Sequence, residues 1–337
     1  MKLAFKFLSI FLFITLVFLI YSSVIGFETK RFNSQIIKKI EKFEKNLEVE
    51  LNEIKIVLNP FKFKINVKTV GPKFKRKNKV VEIESINTEI PIKSLFDKKV
   101  LIENLEISTK SLKIKDLINF IRVFNKNPEL YFLEKVVKKG FLIADIKINF
   151  DQEGKIKDDL KISGIIKDAK INILKKYKIS KLDLNFKYEK NLLALKDAKF
   201  RFNDQNFYSK NLNLTNLKKG HKIEGEIDNN SSELNNENFN IFLKPFFKDL
   251  DIEKIRFNSK NKFSFDINNK FQINNFNLIS KINLEEFSFL NNFGFNKILP
   301  EIGKKIKFSN HKIELEYKKK ALTISGSGNV LLQKNDD

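Results

Sequence analysis

The chain changes its hydrophobic pattern twice along its length. Phe7–Ile25 is a run of 19 uncharged, mostly apolar residues, and Thr29–Leu47 then places apolar side chains at helical spacing. From there on, apolar and polar positions mostly alternate with a period of two. As a helix, the apolar run would extend about 28 Å, close to the thickness of a bilayer core. The pattern therefore predicts a membrane helix, an amphipathic helix and a long series of strands.

The apolar run is expected to be an uncleaved membrane anchor. The alternative, a cleaved signal peptide, has a shorter apolar stretch and small residues before its cleavage site, and Ser22–Gly26 is a poor match. Lys2 and Lys6 precede the run and favour an N-terminus inside the cell, and long domains after an anchor are exported largely regardless of charge. The residues predicted to anchor the chain are Phe7, Ile10, Phe11, Ile14, Val17, Phe18 and Ile25.

The alternation in the rest of the chain indicates an antiparallel sheet with one buried and one wet face. It is clean in Phe61–Val70, in Lys181–Tyr188 and in Ile313–Tyr317. Short polar joints, such as residues 151–154 and 268–270, have the composition of hairpin turns. Counted this way, the chain contains roughly 15–19 strands in a meander without a βαβ rhythm.

Few segments interrupt the strands. Asp116–Phe124 and Pro128–Lys139 predict helices, the second ended by Gly140, and Phe239–Leu250 predicts a third. Asn229–Asn238 is the most linker-like stretch of the chain. The predicted organisation is an anchor over residues 1–28, the N-terminal part of a β-rich groove domain over 29–228, a linker or long loop over 229–240, and the C-terminal part of that domain over 241–332.

A sheet of this size needs a cover for its apolar face. Each strand adds about 4.8 Å, so roughly 15–19 strands make a sheet about 70–90 Å long before twist. The predicted helices contain too few residues to cover it. The sheet must therefore close on itself as a sandwich or barrel, or curl into a groove filled by an apolar ligand such as acyl chains. Both solutions stay open at the level of the sequence.

The groove alternative specifies a fold and a set of residues. It predicts a mainly β protein with a long curled antiparallel sheet, an N-terminal transmembrane helix and a few short amphipathic helices. The apolar strand positions predicted to line the path of an acyl chain are Leu182, Leu184, Phe186, Phe200, Phe202, Phe263, Phe265, Ile313 and Leu315.

Composition narrows the classes of function. Lys and Arg total 64 against 41 Asp and Glu, which gives a net charge of +23. Only five of these cations are Arg, and the abundance of Lys, Asn, Ile and Phe is typical of A/T-rich codons, so the charge does not point to nucleic acid. The chain has no Cys and two His, which excludes thiolate chemistry and leaves no residues at metal-ligand spacing. We expect no catalytic site, no metal and no cofactor.

Two short stretches carry weaker signals. Gly326 and Gly328 fall on one face of a predicted strand and indicate a bend or a close backbone approach, without the residues of a nucleotide-binding loop. The basic cluster after Gly71 and Pro72 is either an exposed hairpin loop or a contact with anionic lipid headgroups. The members of that cluster are Lys73, Lys75, Arg76, Lys77 and Lys79.

The layout of the N-terminal third resembles that of a known family. The membrane helix and the amphipathic helix are followed by Val80–Ile92, then by Lys93-Ser94-Leu95-Phe96, then by Val100–Ser108. These segments, within about Phe7–Leu117, are similar to the start of AsmA-like proteins of Gram-negative envelopes. Beyond this region only the β-meander matches, and this chain is short compared with the largest members of the family.

The resemblance implies a bridge-like lipid-transfer protein, in which a long sheet curls into a trough called a β-taco. It implies an inner-membrane protein with most of its chain in the periplasm, whose partners are membrane phospholipids and envelope proteins. The implied role is to bind or convey phospholipid and to support outer-membrane lipid homeostasis or assembly, without enzyme activity. The alternative is an anchored structural protein with a closed β core and a protein partner.

Overall fold

The fold was examined in a computed structural model of the chain. It describes residues 2–30, 33–34, 37, 47–95, 102–124, 128–151, 153, 155, 157–173, 177–217, 219–234, 251–270, 272–290 and 305–332. Within these residues the protein is mainly β and antiparallel, as the alternation of apolar and polar positions predicts, with an apolar helix at the N-terminus. This confirms the predicted fold class.

The described residues form three α-helices, a short 3-10 helix and 18 strands. The helices are α1 (Lys2–Val24), α2 (Ile114–Phe124) and α3 (Pro128–Val136), and the 3-10 helix is Ile92–Leu95. The strands are β1 (Phe27–Thr29), β2 (Glu48–Glu50), β3 (Ile54–Asn59), β4 (Lys64–Val70), β5 (Lys73–Arg76), β6 (Lys79–Pro91), β7 (Asn104–Thr109), β8 (Leu112–Lys113), β9 (Val137–Asn149), β10 (Lys161–Ile173), β11 (Tyr177–Glu189), β12 (Leu192–Phe202), β13 (Gln205–Leu217), β14 (Gly220–Leu234), β15 (Asp251–Ile267), β16 (Ile273–Leu290), β17 (Lys305–Lys318) and β18 (Ala321–Leu332).

Several predicted boundaries move. The helix expected over Pro128–Lys139 ends at Val136, and the β-branched Val137 begins β9. The strand expected from Phe61 begins only at Lys64, because residues 60–63 form the turn between β3 and β4. Most of the amphipathic helix predicted for residues 29–47 and all of the helix predicted for 239–250 lie outside the described residues.

The chain divides into two compact units. Unit 1 comprises Met1–Lys135, Phe141–Gly164 and Tyr188–Lys190, and unit 2 comprises Val136–Gly140, Ile165–Lys187 and Asn191–Asp337. The division therefore runs through β9, β10 and β11. Residues 229–234, expected to begin a linker or loop, instead continue β14, and the remaining residues of that predicted segment lie outside the described part.

Unit 1 is built around the long strand β6. Its N-terminal part, Lys79–Glu82, pairs with β5, and β5 pairs with β2. Its C-terminal part lies between β4 and β7, and β4 pairs in turn with β3 and β3 with β1. Helix α2 packs against β6. All of these pairings are antiparallel.

Unit 2 contains the predicted meander. From β12 to β18, each strand pairs antiparallel with the next one along the chain. Its best-packed region lies on β14–β17, where Phe287 stacks on Phe308 with ring centroids 5.8 Å apart. The buried members of this cluster, which we call the core cluster, are Leu234, Ile252, Ile255, Phe289 and Ile306.

Candidate apolar binding face

The N-terminal helix has the dimensions of a membrane span. Among the described residues, Phe5–Val24 is the one helical segment that is long and apolar enough to cross a bilayer. Its apolar side chains are exposed on the protein, as a lipid-facing helix requires. All the predicted anchor residues lie in α1 except Ile25, which follows its last residue.

Helix α1 connects directly to the sheet of unit 1. The amides of Ile25 and Gly26 both donate to the carbonyl of Tyr21, and Gly26 adopts the left-handed φ of +75° that commonly ends a helix. Strand β1 begins at the next residue, where Phe27 contacts the rings of Phe18 and Tyr21 at 5.9 and 5.6 Å. No spacer therefore separates the helix from the sheet.

Strand register in unit 2 defines a largely apolar face, crossed by a hydrogen-bonded polar group in which Asn261 contacts Ser259 and Ser280. Phe263 on β15 lies opposite Leu278 on β16, and Leu278 lies opposite Tyr317 on β17. Side chains that alternate along a strand share its face, so Leu315 shares the face of Tyr317. On β18, Leu322 lies opposite Tyr317 and continues the same face. Four of the predicted groove residues belong to it: Phe263, Phe265, Ile313 and Leu315.

Strands β12 and β13 extend this face. Phe200 lies opposite Phe207 and stacks on it at 5.7 Å. The next residue, Tyr208, pairs with Asp228 on the opposite face, which leaves Phe207 on the apolar side. Phe202, two residues beyond Phe200, contacts Phe207 at 6.4 Å. The predicted residues Phe200 and Phe202 therefore lie on the apolar face.

The remaining predicted groove residues are on β11. Leu182, Leu184 and Phe186 alternate with polar residues, and Leu184 is buried. The intervening Asp183 points the other way, where its carboxylate accepts a hydrogen bond of 2.8 Å from the amide of Asp168. That bond is the main reason why the pKa of Asp183 lies below its usual value, and Lys167 adds to the effect. The three apolar side chains therefore share one face of β11.

The opposite face of unit 2 is ionic. Lys262 pairs with Glu226 at 2.6 Å across β14 and β15, and Lys281 pairs with Glu314 at 3.1 Å across β16 and β17. The hydrogen bond from Lys262 lowers the pKa of Glu226 and raises that of the lysine. One face of these strands thus carries ion pairs, and the other is largely apolar with a few buried Ser and Asn side chains.

The apolar face is covered unevenly. The core cluster lies at one end of β14–β17 and is buried. Toward the other end, the rings of Phe265 and Phe276 lie 6.1 Å apart, and Phe276 is 37% exposed. On β18, Leu322 and Ile324 are 55% and 61% exposed. The face is therefore neither closed throughout nor open throughout.

Some residues of this face were not among those predicted, although the sequence carried the signal. Leu278 and Phe276 belong to an alternating stretch of β16, and Leu322 and Ile324 to one on β18. The alternation predicts that Phe276 and Leu278 share one face of β16 and that Leu322 and Ile324 share one face of β18. Only the register shows that both faces continue the surface of Phe263 and Leu315.

The basic cluster lies on the β5–β6 hairpin of unit 1. Two of its members form ion pairs, Lys73 with Glu82 at 3.2 Å and Lys75 with Glu50. Lys77 and Lys79 are exposed at the turn. Contact of this hairpin with lipid headgroups stays a prediction.

A second cationic site is visible only in the structure. A pocket of about 560 Å³ in unit 1 adjoins the β3–β4 turn. Lys64 at its wall pairs with Glu103 at 2.6 Å and with Glu89 at 3.0 Å, and these two bonds raise the pKa of the lysine. The pocket is lined by Lys62, Phe63, Lys64, Pro91, Ile92, Lys93 and Glu103.

The two histidines have local partners. The imidazole of His221 hydrogen-bonds Asn216 at 2.8 Å, and that of His311 packs edge-on against Phe308. A Cβ at Gly328 would overlap the ring of His311, with a separation of only 2.2 Å, so a side chain rather than the predicted backbone lies close to this glycine. Within the described part of the chain, no three His, Asp or Glu side chains are grouped so that they could hold a metal ion.

Comparison of the chain with protein-family models, with curated proteins and with solved structures finds no match.

Proposed function

We propose that this protein is a single-pass, membrane-anchored envelope protein that binds phospholipid acyl chains along the apolar face of unit 2. The observation that carries the proposal is the chemical contrast between the two faces of β12–β18. One face carries half-buried Phe, Leu and Ile side chains, and the other carries ion pairs. Extended apolar surface that is left partly uncovered marks a binding site.

Acyl chains suit this surface because they need no polar partner. Each CH₂ group removed from water contributes about 0.8 kcal/mol, so a chain lying along several strands gains affinity by length alone. The face offers aromatic pairs such as Phe263 with Phe265, whose rings are stacked 5.9 Å apart. Helix α1 is long and apolar enough to span a membrane, and a protein anchored in this way would have membrane lipid close at hand.

The cellular setting of the proposal follows from the resemblance to AsmA-like proteins. Helix α1 would lie in the inner membrane, and the strands would lie in the periplasm. There the protein would carry or hold phospholipid and support the lipid balance of the outer membrane.

A photo-crosslinking experiment tests lipid binding without confusion from lipids around α1. A benzophenone amino acid replaces Phe265 on the apolar face, or Lys262 on the ionic face of the same strand, in the full chain expressed in cells with radiolabelled phospholipid. Lys262 is the more exposed of the two positions, which makes it a stringent control. Crosslinking at Phe265 and not at Lys262 supports the proposal. Equal labelling at both positions, or none at Phe265, contradicts it.

The buried core cluster favours a second candidate, an anchored scaffold that binds a protein partner. In that case the apolar side chains serve only to stabilise the fold. The same experiment separates the two, because a scaffold whose apolar side chains only stabilise the fold would give no lipid adduct at Phe265.

A further inference from the structure

The turn between β3 and β4 exposes two phenylalanines. Phe61 is 95% exposed and Phe63 is 74% exposed. The turn is well defined: the amide of Lys62 donates to the side chain of Asn59 at 3.1 Å, and the carbonyl of Phe63 accepts from the amide of Ile92 at 2.9 Å. Two aromatic rings are therefore held outward on an ordered turn, where they contribute nothing to the core of unit 1.

Strand register places this turn on the membrane side of the sheet. Phe27, three residues after α1 ends, lies opposite Ile56 on β3. Because β3 runs antiparallel to β1, the residues after Ile56 run back in the direction from which α1 arrives. Asn59 lies three residues further, about 10 Å at the rise of a strand, and the turn lies beyond it.

The C-terminal end of helix α1 lies beside Ile56 and Val57 of β3. Helix α1 packs against β3, and a Cβ at Gly26 would lie 2.4 Å from the carbonyl oxygen of Ile56 and 2.9 Å from a methyl group of Val57. The end of β3 therefore lies beside the end of the apolar span. Since that span of 20 residues matches the thickness of a bilayer core, its end marks the boundary between acyl chains and headgroups, and the turn, which lies further back in the direction of α1, reaches at least this boundary.

The charges around the turn suit an anionic membrane surface. Lys64 is neutralised by Glu89 and Glu103. Lys62 lies within electrostatic range of Glu89, but among the described residues neither Lys62 nor Lys93 forms an ion pair within 4.0 Å. Both lysines line the pocket behind Phe63. Aromatic rings flanked by lysines are the composition of surfaces that enter the boundary between headgroups and acyl chains.

We propose that the β3–β4 turn is a second membrane contact of this protein. Phe61 and Phe63 enter the interface of the bilayer that holds α1, and Lys62 and Lys93 bind the phosphate groups of its anionic phospholipids. With the helix, this contact fixes the orientation of the sheet of unit 1 on the membrane. The inference rests on the anchoring part of the proposed function and not on lipid binding by unit 2.

The absence of tryptophan from the chain allows a direct test of depth. Three single-tryptophan variants of the full chain, Phe61→Trp, Phe13→Trp and Val70→Trp, are reconstituted into vesicles of phosphatidylethanolamine and phosphatidylglycerol with brominated acyl chains. Phe13 lies in α1, and Val70 is an exposed residue at the opposite end of β4, about 20 Å from Lys64 along the strand.

The expected result is strong quenching of Phe61→Trp and Phe13→Trp by the brominated chains and none of Val70→Trp. Quenching of Phe13→Trp alone overturns the inference and leaves the anchor intact. No quenching of Phe13→Trp overturns both the anchor and this inference. Quenching of Val70→Trp as strong as that of Phe61→Trp also overturns the inference, because the turn would then not be the part that enters the bilayer.

Charge reversal tests the lysines. In the Phe61→Trp background, Lys62→Glu with Lys93→Glu is expected to reduce quenching at least twofold in vesicles that contain phosphatidylglycerol, and to have little effect in vesicles of neutral phosphatidylcholine. The matched control is Lys77→Glu with Lys79→Glu on the β5–β6 hairpin. Thr88 of β6 is level with Phe27 through Val67 and Ile56, and Lys79 lies nine residues before Thr88, on the side away from α1. In the orientation proposed here, the headgroup contact predicted for this hairpin is therefore not expected at the bilayer that holds α1. An effect of the control pair equal to or larger than that of the Lys62 and Lys93 pair would overturn the role of these two lysines.

Discussion

Ala198 of β12 lies directly opposite Ser209 of β13, and both side chains are buried. Elsewhere in unit 2, the buried Asn229 of β14 lies opposite the buried Ser259 of β15. Beside Ala198, Asp197 has a left-handed φ of +52°, and the alternation of exposed and buried positions shifts there. Ala198 is thus enclosed beside a second small side chain, Ser209, and the two are only 5% and 1% exposed.

Ala198→Leu should therefore destabilise the fold. Added methyl groups at a filled position force neighbouring side chains out of their preferred rotamers, at a cost of about 1–3 kcal/mol. The free energy of unfolding of the full chain in detergent micelles, from urea titration, measures this. Ala321→Leu on the exposed start of β18 is the control and should change stability little. Equal stability of the two variants would show that the enclosure at Ala198 is not tight.

Ser209→Ala should be neutral or stabilising. The buried hydroxyl of Ser209 has no hydrogen-bond partner among the described residues, so it loses its contact with water without compensation. Removing such a group gains up to about 1–3 kcal/mol. Urea titration of Ser209→Ala and of the parent chain measures this change in the free energy of unfolding. A loss of more than about 1 kcal/mol would indicate that the hydroxyl has a hydrogen-bond partner.

The two ends of the apolar face should respond differently to truncation. Phe289→Ala removes a buried ring of the core cluster and should cost about 3–5 kcal/mol. Phe276→Ala removes a ring that is already more than one-third exposed, so it should cost roughly 1 kcal/mol while reducing lipid crosslinking from position 265, which it adjoins. Similar costs for both variants, with unchanged crosslinking, would mean that the exposed end belongs to the core rather than to a binding surface.

Gly26→Ala should weaken the junction between α1 and the sheet. A left-handed φ disfavours any side chain by about 1–2 kcal/mol, and here the new Cβ would also overlap the carbonyl of Ile56. Faster proteolysis between residues 25 and 30 of the reconstituted protein is the expected sign. Gly326→Ala is the control, since its φ is not left-handed and its Cβ, although only 3.2 Å from the carbonyl oxygen of Lys312, is on β18 and should leave cleavage between residues 25 and 30 unchanged. Equal protease resistance of both variants would contradict the tight junction.

The free energy of unfolding should decrease in acid as Glu286 becomes protonated and loses its ion pairs. Its carboxylate accepts from Lys254 at 3.1 Å and from Lys307 at 3.2 Å, and these bonds, Lys254 first, hold the pKa of Glu286 below its ordinary value. The ionised form therefore stabilises the fold above the unfolded glutamate pKa of about 4.3, and this contribution is lost as the pH falls through the lower folded value. Because the group is partly solvated, it should amount to at most about 1 kcal/mol.

The measurement is urea unfolding of the parent and of Glu286→Gln at neutral pH and at about pH 3, near or below the reference glutamate pKa. The stability gap between them should be present at neutral pH and shrink in acid. Glu314→Gln, which breaks an exposed pair with Lys281, should produce almost no gap at neutral pH. A gap for Glu286→Gln that does not shrink in acid would exclude a contribution from the ion pairs.

Local patterns in the sequence determined the antiparallel meander and the N-terminal helix that is long and apolar enough to span a membrane. The apolar run is a property of consecutive residues, and the alternation around Phe263 and Ile313 sets the face of each strand wherever the strand pairs. The common face of Phe200, Phe263 and Leu315 followed from this periodicity once the register was known. The end of the helix predicted for Pro128–Lys139 was placed three residues too late, because the pairing that makes Val137 the start of β9 is not visible in the local pattern.

Long-range pairing alone decided where the strands begin and end and what lies between them. Residues 61–63 carry the same alternation as the strand that follows, yet they form an exposed turn, because β3 and β4 pair only up to Asn59 and Lys64. Asn229 looks like part of a polar linker, yet it is buried opposite Ser259. In both cases the conformation depends on residues far away in the chain, whose contacts no local pattern encodes.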